Sequence, residues 1–171
     1  MTLLDELRVE LVDWRALSPG DRDALRGLEI SAAQIEFAGT MSKSLAVCET
    51  GDPVEVAGLA IRLECAIVGW VVLKRGASAP EWVGADAVVV SGLRIDTRQQ
   101  GRGVGSAALG EMARWIAQHW PESSVLKLRV DDGNVAGIRA YEKAGWIEVG
   151  ERRDGRVGLE RTMSLRLPGT G

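Results

Sequence analysis

Two stretches of the chain carry residue types and spacings that could do chemistry. The first, QGRGVGS at 100–106, places glycines at 101, 103 and 105 directly ahead of a segment with helical spacing. Glycine lets main-chain N–H groups approach a ligand closely, so the pattern fits an anion held by backbone at the positive end of a helix. A flexible strand-to-helix loop is the bland alternative. The second, LRVDDGNVAGIRAYEKAGW at 128–146, holds Asn134 where a helix N-cap would sit and Tyr141, the sole tyrosine of the chain. A phenol there could serve a leaving group or simply pack on an amphipathic helix.

The elements that must position these residues follow from periodicity. RVELVDW (8–14) alternates as a half-buried strand does, and SPGD (18–21) signals a helix start. The span 21–48 has helical spacing broken at AGTMS, which predicts two short helices. Strand-like runs follow at 56–62, 67–74 and 86–95, the first two forming a hairpin, with the loop GASAPEWVG (76–84) before the third. Then come a helix over 103–119 ending before Pro121, a strand at 125–130, a helix at 134–144, a strand at 146–151 and a last strand at 157–167. This order predicts an α/β (α+β) fold, a mixed and mostly antiparallel sheet flanked by helices.

With 171 residues, 46% hydrophobic and 26% charged, the chain suits one core, and residues 1–171 are expected to form a single domain. A net charge of −3 gives no basic footprint for nucleic acid or an anionic membrane surface. The acidic N-terminus does not resemble a secretory signal, and AIVGWVVL (66–73) is far shorter than the ~20 residues of a membrane helix, so a cytoplasmic protein is expected. Cys48, Cys65 and the single His119 show no metal-ligand spacing, which predicts two reduced structural thiols and no metal.

Gly103, Gly105 and Ala108 also match G-x-G-x-x-A, with Asp131 ending the next strand, as in a dinucleotide-binding oxidoreductase. That reading needs more βα units than the residues after Asp131 allow, and the loop from Ile95 to Gly103 is too long for its tight turn. A different resemblance covers more. Gln100, Gly103 and Gly105 resemble the Q/R-x-x-G-x-G/A signature of the GNAT acetyltransferases, and 128–146 resembles that family's strand, Asn-started helix and tyrosine. The two motifs lie in the family's order and about thirty residues apart, and the likeness spans roughly residues 55–151.

The resemblance implies a GNAT-like acyl-coenzyme A N-acyltransferase fold and acetyl-coenzyme A as cosubstrate, bound without metal. In it, the amides of Gly101, Arg102, Gly103, Val104, Gly105 and Ser106, with Gln100, face the pyrophosphate. The main chain of Leu93, Arg94 and Ile95 pairs with the pantetheine arm like an added strand, and Asn134 also contacts the coenzyme. Tyr141 reaches the thioester sulfur and supports thiolate departure. Where some relatives carry a strand glutamate this chain has Val89, so the base stays unassigned, with Ser91, Asp86 and Glu36 as polar candidates.

The implied activity is acetyl transfer to a primary amine of a small molecule. QIEFAG and SLA (34–46) resemble diamine and polyamine acetyltransferases, which would make Glu36 and Phe37 acceptor contacts, while Trp82 in the loop before the third core strand could line the same pocket. A protein N-terminal acetyltransferase and a non-catalytic acyl-coenzyme A sensor stand as alternatives. A homodimer is the assembly that the resemblance suggests.

Overall fold

A computed structural model describes residues 7–168. Seven strands form one mixed sheet: β1 (Val9–Asp13), β2 (Val56–Leu63), β3 (Ala66–Lys74), β4 (Ala87–Ile95), β5 (Val125–Asp131), β6 (Ile147–Asp154) and β7 (Leu159–Arg166). Their spatial order is β1-β2-β3-β4-β5-β7-β6. Every neighbouring pair is antiparallel except β4 and β5, which the helix α4 (Val104–His119) connects as a parallel crossover. The last strand, β7, inserts between β5 and β6, a placement that sequence order alone does not foretell.

Between β1 and β2 lie three helices, α1 (Pro19–Arg26), α2 (Ala32–Ala38) and α3 (Met41–Thr50), where the periodicity predicts two. The extra break is chemical. Gly27 closes α1, and Ser31 starts α2 through a capping box in which its hydroxyl accepts from the Gln34 amide and the Gln34 side chain accepts from the Ser31 amide. Thr40 then caps α3. The remaining elements fall within a few residues of expectation, with α5 (Val135–Lys143) following β5.

The two sheet faces bury different sets. Leu126, Leu128 and Val130 alternate along β5 and pack with Val88 and Val90 against Val104, Ala108, Leu109, Met112 and Ile116 of α4. On the opposite face Trp70, Val72 and Ala60 pack against Leu25 of α1 and Cys48 of α3. Among the described residues no helix is long and apolar enough to cross a membrane.

The functional consequence lies between β4 and β5. Their pairing runs only from Ala87–Val125 to Val89–Lys127, and then the strands part. Gly92 sits at φ +62° in a bulge that shifts the β3–β4 register between Ser91 and Arg94. Only glycine adopts that backbone readily, and the bulge bends β4 locally.

Two buried charges fasten the front helices over this bend. Arg94 is 1% exposed and donates to the Gly92 carbonyl at 2.9 Å, Gly39 at 2.8 Å and Ala38 at 2.9 Å. It meets no carboxylate among the described residues; carbonyls at the end of α2 hold the charge instead. Asp96, 2% exposed, accepts from the Glu29 amide at 3.0 Å and from Arg98 through its amide, Nε and Nη2. Arg94 anchors the C-terminal end of α2 to β4, and Asp96 holds the segment between α1 and α2 at Glu29.

Replacing Arg94 by Met fills similar volume but leaves three carbonyls without their donor, so a loss of roughly 2–4 kcal/mol is expected in urea denaturation; an unchanged midpoint would refute the clasp. For Asp96, the Arg98 hydrogen bonds hold the carboxyl well below the usual carboxylate range, outweighing desolvation. A depressed folded pKa gives stability that is fully present above the unfolded value of about 3.9 and lost progressively as pH falls from there toward the folded value. The stability gap between wild type and Asp96→Asn should therefore shrink from pH 7 to pH 3, whereas a pH-independent gap would assign Asp96 a packing role only.

Candidate active site

Where β4 and β5 separate, two cavities meet. One, of about 580 Å³, lies along Leu93, Arg94 and Ile95, the loop after β4, and the start of α4. The other, of about 340 Å³, opens between α2, the loop before β4, and the outer face of β5. Phe37, Ala38, Leu93, Asn134 and Tyr141 line both and so mark their junction.

The larger cavity suits an anion at one end. The helices α1, α2, α3 and α5 start on Ser18, Ser31, Thr40 and Asn134, whose side chains cap their amides. The 16-residue α4 starts on Gly103, at φ +83° in the left-handed region, with no side-chain cap and no acidic residue in its first turn. Its leading amides are open to the cavity, backed by the positive end of the helix dipole. Gln100, Gly101, Gly103, Val104, Gly105 and Ser106 all line this wall. A Cβ at Gly105 would meet nothing closer than Ile95 Cγ1 at 4.0 Å, so in the free protein that space belongs to the cavity.

Three side chains here are engaged within the protein itself. The Arg102 side chain points to solvent, donates to Gln99 at 2.5 Å and is not part of the wall, because the turn around it directs it outward. The Arg94 side chain is consumed by the α2 clasp, which leaves only its main chain for a ligand. The Ile95 carbonyl already accepts from the side chains of Gln34 at 2.9 Å and Gln100 at 3.1 Å, so Gln100 ties the loop to β4. Beyond Val89 the strand edge facing β5 is otherwise unpaired, the arrangement a ligand can extend as an added strand.

Tyr141 stands at the junction with its ring against Trp146, centroids 5.7 Å apart. Burial pushes its phenol up to about 12, so it is a neutral donor throughout the physiological range. No side-chain hydrogen bond engages it among the described residues. Asn134 uses Oδ1 to accept from the Gly137 amide at 3.1 Å, capping α5 while its side chain borders both cavities.

Phe37, Trp82 and Ser91 line the smaller cavity as expected. Glu36 does not: it is exposed and lines neither cavity, so the carboxylate expected to meet a diamine is absent from the walls. Asp86 is exposed and accepts from Ser124 at 2.8 Å. Val89 is a buried apolar residue. The wall instead includes Lys74 and Arg129, which sequence reasoning passed over, and Asp131, which it weighed only for a dinucleotide-binding reading. A signal existed. Lys127, Arg129 and Asp131 alternate with buried Leu128 and Val130 on a central strand, where both faces are ordinarily apolar.

The chain's residues 13–146 match the acetyltransferase (GNAT) family model. No curated protein matches in sequence. Among solved structures, an aminoglycoside acetyltransferase in complex with ribostamycin and coenzyme A aligns at TM-score 0.73 and 17% identity, over 92% of this chain and 93% of that one. Spermidine N-acetyltransferase from Vibrio cholerae, in complex with coenzyme A and spermine, aligns at 0.70 and 13% over 93% and 95%. The ribosomal-protein-S18-alanine N-acetyltransferase from Escherichia coli aligns at 0.66 and 18% over 96% and 97%. These likenesses establish the fold, and with the family match across most of its length the chain belongs to the GNAT acetyltransferases.

Proposed function

We propose that the protein transfers acetyl from acetyl-coenzyme A directly to the primary amine of a small molecule, with both substrates bound at once. The carrying observation is the position of Tyr141, a neutral phenol with no side-chain hydrogen bond among the described residues, where a phosphate-suited cavity meets a second, acceptor-sized one. A pure sensor of the coenzyme needs neither the second cavity nor the hydroxyl.

Acetyl-coenzyme A supplies an activated acyl group and a thiolate leaving group. The amides at the start of α4 neutralise phosphate charge without metal, and the open edge of β4 orients the amide arm. As the N–C bond forms, the C–S bond breaks. The ammonium gives up two protons overall, one to solvent before attack and one to the departing sulfur. With the phenol near 12 and a thiol near 8.5, complete transfer from Tyr141 would be uphill by roughly 5 kcal/mol. Its hydroxyl therefore acts as a hydrogen-bond donor to the sulfur as negative charge develops there.

Tyr141→Phe keeps the ring against Trp146 and removes that donor. Turnover should fall by roughly 10- to 1,000-fold while coenzyme affinity changes little; wild-type kcat would exclude Tyr141 from the chemistry. Gly105→Ala separates binding from folding. Alanine in the first turn of α4 should raise thermal stability by the equivalent of about 0.5–1 kcal/mol, yet its methyl enters the cavity and should weaken coenzyme A binding in calorimetric titration. Unchanged affinity in a stabilised variant would move the phosphate site away from this loop.

A further inference from the structure

We infer that the acceptor is a small amine that also carries an anionic group, a carboxylate or phosphate, with its ammonium end toward Asp131 and its anion between Arg129 and Lys74. This rests on the transfer reading above and names the substrate class for the same site.

The placement follows from strand register. Lys74 on β3 lies directly opposite Val89 on β4, and Val89 directly opposite Lys127 on β5, so the three form one row across the sheet. Arg129 and Asp131 continue along the same face of β5, each roughly 7 Å further toward the strand end. Asp131 immediately precedes the turn to Asn134, whose amide donates to the Asp131 carbonyl at 2.9 Å, and Asn134 and Tyr141 mark the junction with the cofactor cavity. The acceptor cavity is thus polar along its length, with a carboxylate near the reacting end and cations away from it.

Neither cation is satisfied by the protein. Among the described residues Lys74 and Arg129 form no ion pair and donate no side-chain hydrogen bond, and the Arg129 Nε is buried without a partner. Lys127 is different, since its ammonium is spent on the Val83 carbonyl at 2.8 Å. The Arg129 guanidinium lies over the Trp82 ring at 4.0 Å, which fixes its plane and leaves its edge for a planar or tetrahedral anion. Desolvation, then the neighbouring Arg153, lower its pKa against the opposing pull of Glu160, a strain that an anion would relieve. At the other end Asp131 lines the cavity, and its Oδ1 has no hydrogen-bond donor among the described residues. A diamine would instead bring a second cation against two unpaired ones.

The test uses the purified chain with acetyl-coenzyme A and amines of matched length: propylamine, diaminopropane, β-alanine and aminoethylphosphonate. Thiol release gives rates, and mass spectrometry identifies the N-acetyl product. The expected result is kcat/KM about tenfold or more higher for the carboxylate or phosphonate amine than for the other two, the better of the two anionic arms naming the anion. Arg129→Gln should raise KM for the preferred anionic amine about tenfold with a smaller change in kcat, and Arg129→Glu should move the preference toward diaminopropane. Coenzyme A affinity reports folding, because Arg129 lies outside that cavity; should these variants fail to bind it, Lys74→Met carries the same comparison. Equal or better turnover of propylamine or diaminopropane overturns the inference and leaves the transferase reading intact. Coenzyme binding with no acetylation of any amine, including wider panels, overturns the transferase reading and this one with it.

Discussion

Everything at the site depends on the interruption of one strand pair. A parallel neighbour in the middle of a sheet ordinarily satisfies the main chain along its whole length, and here the pairing of β4 with β5 stops at Val89 and Lys127. Buried backbone groups left without partners are costly, so a central gap persists only where something else compensates. On the protein's side the compensation is the Gly92 bulge with the Arg94 guanidinium bound across it to the end of α2, and the Gln34 and Gln100 amides on the Ile95 carbonyl. The remaining open edge is what a ligand can complete. Fold and candidate site are consequently one feature: closing the gap would remove the open edge of β4 and the cavity junction at Tyr141 together.

The two cavities solve their electrostatic problems in different ways. On the cofactor side the positive potential comes from main-chain amides and a long helix dipole, worth roughly half a charge at the helix start. With Arg102 turned to solvent, its guanidinium does not join the first turn of α4 in the wall, which presents backbone amides rather than a point charge. On the acceptor side the charges are side chains of a central strand, held in place by the sheet itself. Fixed dipoles suit a cosubstrate that never varies, while side chains can be changed singly without disturbing the scaffold.

Much of this was legible in the sequence, for identifiable reasons. The strands from β2 to β7 are short apolar or alternating runs bounded by polar turns, and the glycine loop precedes a helix whose apolar spacing is regular. Legibility ends where a side chain's direction is decided by packing over a short element. α2 has seven residues, and its Ile35 is 42% exposed while Gln34 and the neighbouring Phe37 turn toward the cleft. A hydrophobic pattern of that length cannot orient the helix, and Glu36 was assigned to the wrong side for that reason. Arg102 stands between Gly101 and Gly103, both at positive φ, in a turn whose backbone angles send its side chain to solvent.

The charged face of β5 shows how a missed signal could be read. In an edge strand, Lys127, Arg129 and Asp131 would be an ordinary solvated face, and their alternation with leucine and valine would carry no information. β4 and β7 cover only the edges of this strand, and what sets its charged face apart from a solvated one is the cavity wall of Phe37, Pro80 and Trp82 beside it. Each charge must then find a protein partner or border a cleft. Lys127 finds the Val83 carbonyl; Arg129 and Asp131 find neither ion pair nor hydrogen bond for their buried atoms and sit on a cavity wall. The same kind of burial that pushes the Tyr141 phenol upward lowers the pKa of the Arg129 guanidinium, so that charge is costly without a partner. Both shifts follow from one physical cause, the desolvation of side chains that border the place where two strands part.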